Sequence, residues 1–440
     1  MKNLKCLLFA CLCLFVCLPS IASSSDLPRD GLLAPGDWGA AAGIRSGTIL
    51  CDTEDTISTS FLPQLYYAGE RFYLDGAEGG VHLFNSEKLQ FSLLARVRFF
   101  DAPKGRQNQL KGDALDWGGQ VRYRFDEFNR LELEMLSDPN GRLHANLRYS
   151  LVFARERFEF NPYVNLRAKS AAFNNRYYGL DWAGFAPIDA GVDLQAGVHL
   201  RYHIHRNLYL LGGIETGLLD SEAQHAEAIH GSVPTSVFAG FGFFNDHREP
   251  NGTKLGLRPW VRLAQGFATP SSIGNILTGT VEDDPYNNQL TSLFFGLPLA
   301  DNLFDFPLEI YLTPGIVWHH SSSVQDDGSE FVVAVKAYYR FHWPVQMRLG
   351  LGTGFSWVSK ITYQERSNNE SKGYLPSNLL HYLDFSFDLN LGDLVRSEKW
   401  ERFWLGVGVH HRSAIFESAQ QYGRIKGGSN YPMLYLQVDF

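Results

Sequence analysis

Apolar and polar residues alternate one by one over long stretches of this chain. Val192, Leu194, Ala196, Val198, Leu200, Tyr202 and Ile204 interleave with Asp193, Gln195, Gly197, His199, Arg201 and His203. Phe91, Leu93, Ala95, Val97 and Phe99 oppose Gln90, Ser92, Arg96 and Arg98. Phe385, Phe387, Leu389 and Leu391 oppose Asp384, Ser386, Asp388 and Asn390. Successive side chains of a strand point to opposite faces, so each segment reads as a strand with one apolar and one charged face. Strands this long and two-faced need lipid on one side and a polar lumen on the other. Helical periodicity is nowhere sustained. Only a closed barrel pairs every strand edge in hydrocarbon, so the pattern predicts an all-β chain built from antiparallel transmembrane barrels.

From residue 255 onward the pattern predicts about eight strands, near 255–266, 289–299, 306–320, 330–343, 346–358, 378–391, 403–413 and 430–440. Connections near 300–305, 344–345 and 392–402 are short; those near 267–288, 321–329, 359–377 and 414–429 are mostly longer. Bacterial barrels keep short turns in the periplasm and long loops outside, which places residues 413 and 430 at the extracellular end. Upstream, the aromatic strand Val237–Phe244 precedes a polar, turn-rich stretch, Asn245–Gly252. The predicted organisation is therefore a signal peptide over 1–22, a first barrel over 36–244, a linker over 245–254 and an eight-stranded barrel over 255–440. One large porin-like barrel using both halves is the alternative topology.

Composition supports a secreted membrane barrel. Lys2 and Lys5 precede an apolar run from Leu7 to Leu18, and Ser20 and Ala22 supply small residues for cleavage after Ala22. Beyond it no run of about 18 apolar residues offers a membrane helix. Aromatics make up 14% of the chain and glycines number 42, against 20% charged residues. A secreted β-sandwich is the bland alternative. Four of the five cysteines leave with the signal and Cys51 remains alone, which excludes an intramolecular disulfide and a Cys-rich metal site. A net charge of -8 argues against nucleic-acid binding. Trp343, Trp357, Trp400 and Trp404 read as an interfacial girdle.

Candidate chemistry concentrates in the last strand pair. Phe403, Leu405, Val407, Val409, His411 and Ser413 share one face; Gly406, Gly408, His410 and Arg412 share the other. A nucleophile and a base thus cap an apolar, lipid-facing stripe. Ester cleavage needs an activated hydroxyl, a base within reach and a group that orients the base. On the final strand Asn430 has the parity of Leu434, Leu436, Val438 and Phe440, so it faces the same way. Glu365 and Glu417 are substitute acids on extracellular loops. Arg412, Arg424 and Lys426 are candidates for binding lipid phosphates through charge-assisted bonds. His319 and His320 point to opposite faces of a strand and do not make a joint metal site. The scheme needs no metal and no cofactor.

Two family resemblances add to this. The motifs Phe61-Leu62-Pro63-Gln64-Leu65-Tyr66-Tyr67-Ala68-Gly69, Phe72-Tyr73-Leu74-Asp75-Gly76, Gly79-Gly80-Val81 and Asn175-Arg176-Tyr177-Tyr178-Gly179-Leu180 resemble the MipA/OmpV outer-membrane family over about 36–244. That resemblance implies a porin-like or scaffolding barrel linked to peptidoglycan enzymes, with no catalytic residues. His411-Arg412-Ser413, the segment Gly427-Gly428-Ser429-Asn430 and the Gly-rich Leu349–Gly354 resemble the PagL lipid A deacylase family. It implies an outer-membrane serine esterase acting on lipopolysaccharide, with Ser413 as nucleophile, His411 as base and Asn430 as orienter. Backbone amides near Gly427 and Gly428 would then form the oxyanion hole. Ala414 stands where that family has Asn. A non-enzymatic barrel that scaffolds wall enzymes is the rival expectation.

Overall fold

The structure, a computed structural model, describes residues 37–51, 56–103, 115–155, 157–244, 255–303, 306–413 and 428–440. The predicted signal peptide and linker lie outside these residues, as do Gly427, Arg424, Lys426 and Glu417. No helix among the described residues is long and apolar enough to cross a membrane.

Every pairing is antiparallel, and the strands form two separate closed sheets. The first runs from β1 (Trp38–Thr48) and β2 (Ile57–Ala68) to β13 (Thr235–Phe244), which pairs back onto β1. Its β10 (Phe158–Lys169) pairs with both β8 (Leu143–Leu151) and β11 (Gly191–His205), closing twelve strands, while the short β9 (Phe153–Arg155) only flanks β10. The second comprises β14 (Trp260–Phe267), β15 (Gln289–Ala300), β16 (Leu308–His319), β17 (Gly328–Phe341), β18 (Met347–Val358), β19 (Leu379–Asn390), β20 (Phe403–Ser413) and β21 (Gly428–Asp439). Consecutive strands pair and β21 returns to β14, so this eight-stranded barrel is complete. This is the all-β, two-barrel architecture that the alternation predicts. The single large barrel is excluded, because each sheet closes on itself and no ladder among the described residues joins the two.

Alternation sorts the side chains as expected. Leu405, Val407, Leu434 and Leu436 are exposed on the outside of β20 and β21, while His410, Arg412, Ser429 and Tyr431 are buried inside. An eight-stranded interior is just wide enough for side chains to fill. Here Asp384 takes Arg262 at 2.5 Å and Lys336 at 2.7 Å, and Arg348 pairs with Asp388 at 2.7 Å. Trp404 belongs to this filling and not to the girdle: it is buried, with the Arg348 guanidinium 3.7 Å from its ring. Its even position on β20 already aims it inward. Trp343, Trp357 and Trp400 are exposed.

Some outward-facing apolar residues are nevertheless buried, and these mark where the barrels meet. Ala40 of β1 clusters with Leu299, Ala300 and Ile310 of β15 and β16, joined by Leu65, Phe243, Val335 and Ala337. At the short-turn end Arg206 pairs with Asp301 at 2.6 Å. The longer connections of β14–β21 share the opposite end, which also carries Ser413 and Gly428.

Candidate functional site

At that long-loop end His411 and Ser413 lie two residues apart on β20, both half-buried on the outer face. Their parity leaves the side chains adjacent, and His411 Nε2 lies 2.8 Å from Ser413 Oγ. Across the ladder His411 faces Asn430 of β21 and Ser413 faces Gly428. His411 Nδ1 is 2.6 Å from Asn430 Oδ1. The structure thus brings all three side chains into one chain of hydrogen bonds.

The direction of that chain follows from a neighbour. Asn430 Nδ2 donates to the Ser271 carbonyl at 2.8 Å. A carbonyl only accepts, so the amide nitrogen must face Ser271 and Oδ1 must face the imidazole. Oδ1 also only accepts, so His411 Nδ1 carries the proton and Nε2 is bare. A bare Nε2 beside a hydroxyl is the arrangement of a general base. Residues 268–272 reinforce this edge, with Thr269 N donating to the Asn430 carbonyl at 3.0 Å. Ser271 has no signal in the sequence, since a backbone carbonyl carries no residue-type preference.

Behind the three residues, inside the mouth of the barrel, the helix Tyr363–Glu370 begins at the cap Thr362, whose hydroxyl accepts from Glu365 N. Gln364 Oε1 accepts from Asn430 N at 3.3 Å, and Asn368 Nδ2 donates to the Gly428 carbonyl at 3.0 Å. Glu365 accepts from Arg412 at 2.6 Å and from Ser429 Oγ at 2.7 Å. Deeper in, Glu330 binds His319 at 2.6 Å, His410 at 3.0 Å and Ser356 Oγ at 2.5 Å. The helix braces both strands from within.

Two sequence expectations fail on these facts. Arg412 does not reach lipid phosphates: it is 0% exposed, points into the lumen and is neutralised by Glu365. Glu365 is not a substitute acid for His411, because the barrel wall separates them and its charge is engaged by Arg412. His319 and His320 diverge as expected, the first to Glu330 and the second to Thr291 Oγ1 at 2.8 Å. No group of three or more His, Cys, Asp or Glu among the described residues is placed to hold a metal.

Gly428 sits beside Ser413 for a steric reason. A Cβ there would lie 2.0 Å from the Arg412 carbonyl oxygen, so only glycine lets β21 approach β20 at this rung. Gly428→Ala is expected to part the strands and destabilise the barrel by about 1–3 kcal/mol, read as a lower urea midpoint.

Residues 39–241 match the family model described as MltA-interacting protein MipA. No curated protein matches the chain. Among solved structures, the outer membrane enzyme PagL shares 14% identity over 41% of this chain and 99% of its own, with a TM-score of 0.29. OmpT of Vibrio cholerae shares 11% over 93% and 99%, with a TM-score of 0.22. LpxR from Salmonella typhimurium shares 8% over 67% and 88%, with a TM-score of 0.19. The chain is a β-barrel protein of the bacterial outer membrane.

Proposed function

We propose that the second barrel is a serine esterase that removes an acyl chain from lipid A in the outer leaflet. The observation that carries this reading is the run Ser413 Oγ, His411 Nε2, His411 Nδ1, Asn430 Oδ1, with links of 2.8 and 2.6 Å, on the outer wall of the barrel. Long loops at that end favour an extracellular placement, level with the head groups of lipopolysaccharide. An ester of an outer-leaflet lipid meets this wall directly, whereas a lumenal site packed with side chains would exclude it.

In this reading Ser413 Oγ attacks the acyl carbonyl carbon while its proton passes to His411 Nε2. The carbonyl electrons move onto oxygen, and their return expels the sugar oxygen, which takes the proton from His411. Water then repeats the sequence on the acyl-serine, releasing the fatty acid. Asn430 holds the imidazole in the required tautomer. Lacking charge, it steadies the imidazolium less than a carboxylate would. Asn430→Ala is expected to lower kcat by about two orders of magnitude, with a smaller change in KM. Of the oxyanion donors proposed near Gly427 and Gly428, Gly428 is the cross-strand partner of Ser413, and Gly427 lies outside the described residues.

A serine-directed fluorophosphonate tests the reading on detergent-solubilised full-length protein. Mass spectrometry should find the adduct on the Ser413 peptide of wild type and none on His411→Ala. Wild type that stays unlabelled at a concentration labelling other serine esterases would remove the proposal.

The match of residues 39–241 to a family described as MltA-interacting favours a second role for the first barrel, docking a periplasmic wall-remodelling enzyme. A direct binding measurement between the solubilised protein and such an enzyme, purified, should give a saturable isotherm. Absence of binding removes this role and leaves the esterase reading untouched.

A further inference from the structure

Ser413 has two cross-strand neighbours. Gly428 of β21 is one; His381 of β19 is the other, directly opposite in register and on the same outer face. An imidazole on a lipid-facing position is out of place unless something covers it, and His381 is only 4% exposed. Its Nε2 lies 3.1 Å from Thr353 Oγ1. Its ring packs against Phe355 of β18 at 5.6 Å between centroids. The remaining cover comes from the other barrel. Phe61 of β2 stands 5.8 Å from the His381 ring and is stacked on Phe355 at 6.4 Å with 14° between planes.

Below Ser413, toward the membrane centre, come the half-buried His411 and Val409, only 3% exposed, and beyond them the outer face of β19–β21 opens into apolar surface. Val407 is 53% exposed and Leu434 55%, with Leu405 and Phe387 also exposed. On its other flank β21 pairs with β14, whose outward Leu263 and Phe267 are exposed as well. A chain whose ester carbonyl reaches Ser413 meets this apolar surface on the membrane side and Phe61 on the β19 side. Phe61 bounds that surface at the height of the nucleophile.

We propose that the two barrels share one site, in which Phe61 of the first barrel, seated on His381 and Phe355, is the side wall that selects the acyl chain delivered to Ser413. This rests on the esterase reading above and adds a substrate-contacting residue from the other half of the chain. Its occupant is the part of the scissile acyl chain beyond the fourth carbon, because His381 stands between Ser413 and the Phe61 ring. The conservative partner His381 is a positioning residue, holding the Phe61 ring upright through the edge-on contact.

The test compares two esters of one alcohol, with a short chain of four carbons and a long chain of fourteen, on full-length protein in detergent micelles. Phe61→Ala should change the long-to-short ratio of kcat/KM at least fivefold, leaving the short ester within twofold of wild type. Phe61→Trp should shift the same ratio the opposite way, and Phe61→Tyr should restore it. Heat-modifiable migration on gels checks that each variant retains its barrels. A ratio unmoved by all three substitutions, or both esters slowed equally, overturns the shared-site inference while the esterase reading stands. Wild type that cleaves neither ester removes both.

Discussion

Ser413→Ala lowers ester hydrolysis by the purified protein by at least about three orders of magnitude, with little change in lipid binding. His411→Ala does the same, and the double variant is no slower than either alone, because nucleophile and base act as a unit. A thousandfold loss corresponds to about 4 kcal/mol of transition-state stabilisation, more than any single contact in the site supplies. The expectation follows from the 2.8 Å contact of a bare His411 Nε2 with the Ser413 hydroxyl. Assay of initial rates above the critical micelle concentration checks it. Additive losses in the double variant would mean that the two side chains do not cooperate in one step.

The second large effect concerns stability. Glu365→Ala takes from the buried Arg412 guanidinium the carboxylate that stands 2.6 Å away and leaves it only the longer contact to Glu330, at 3.7 Å. Removing one partner of a buried ion pair costs about 3–5 kcal/mol, because the remaining charge stays desolvated. The same change frees Ser429 Oγ and loosens the helix Tyr363–Glu370 that backs Asn430. Urea unfolding in lipid bilayers, followed by tryptophan fluorescence, should show the loss. Replacing both partners together, Glu365→Leu with Arg412→Met, should recover much of it, since no orphan charge remains. A double variant as unstable as Glu365→Ala would place the cost in packing instead.

The strands of the second barrel were legible because side-chain parity is a local property. The alternation predicts a strand near 346–358 and one forms at Met347–Val358; it predicts 403–413 and β20 is Phe403–Ser413. Parity also gives the outward face of His411, Ser413 and Asn430, and it contains the correction for Trp404 and Arg412, both on the inward face. What parity cannot give is which long-range neighbour covers a face. The Ser271 carbonyl that fixes the Asn430 amide lies 159 residues away along the chain. Phe61 reaches His381 from a different barrel. The helix Tyr363–Glu370 is hidden for another reason: its sequence, YQERSNNE, is polar all round, and its bonds to Arg412, Gly428, Ser429 and Asn430 hold it in the mouth. Sequence pattern thus gives the walls of this protein and leaves the braces between them to tertiary structure.

The most direct trial of the outward-facing Ser413–His411 pair is the mass spectrum of lipid A from a Gram-negative host expressing this protein. Wild type should yield a species lighter by one hydroxyacyl chain, absent from cells expressing Ser413→Ala at equal outer-membrane abundance. Lipid A left intact by wild type, or trimmed equally by the Ser413→Ala variant, would contradict the account.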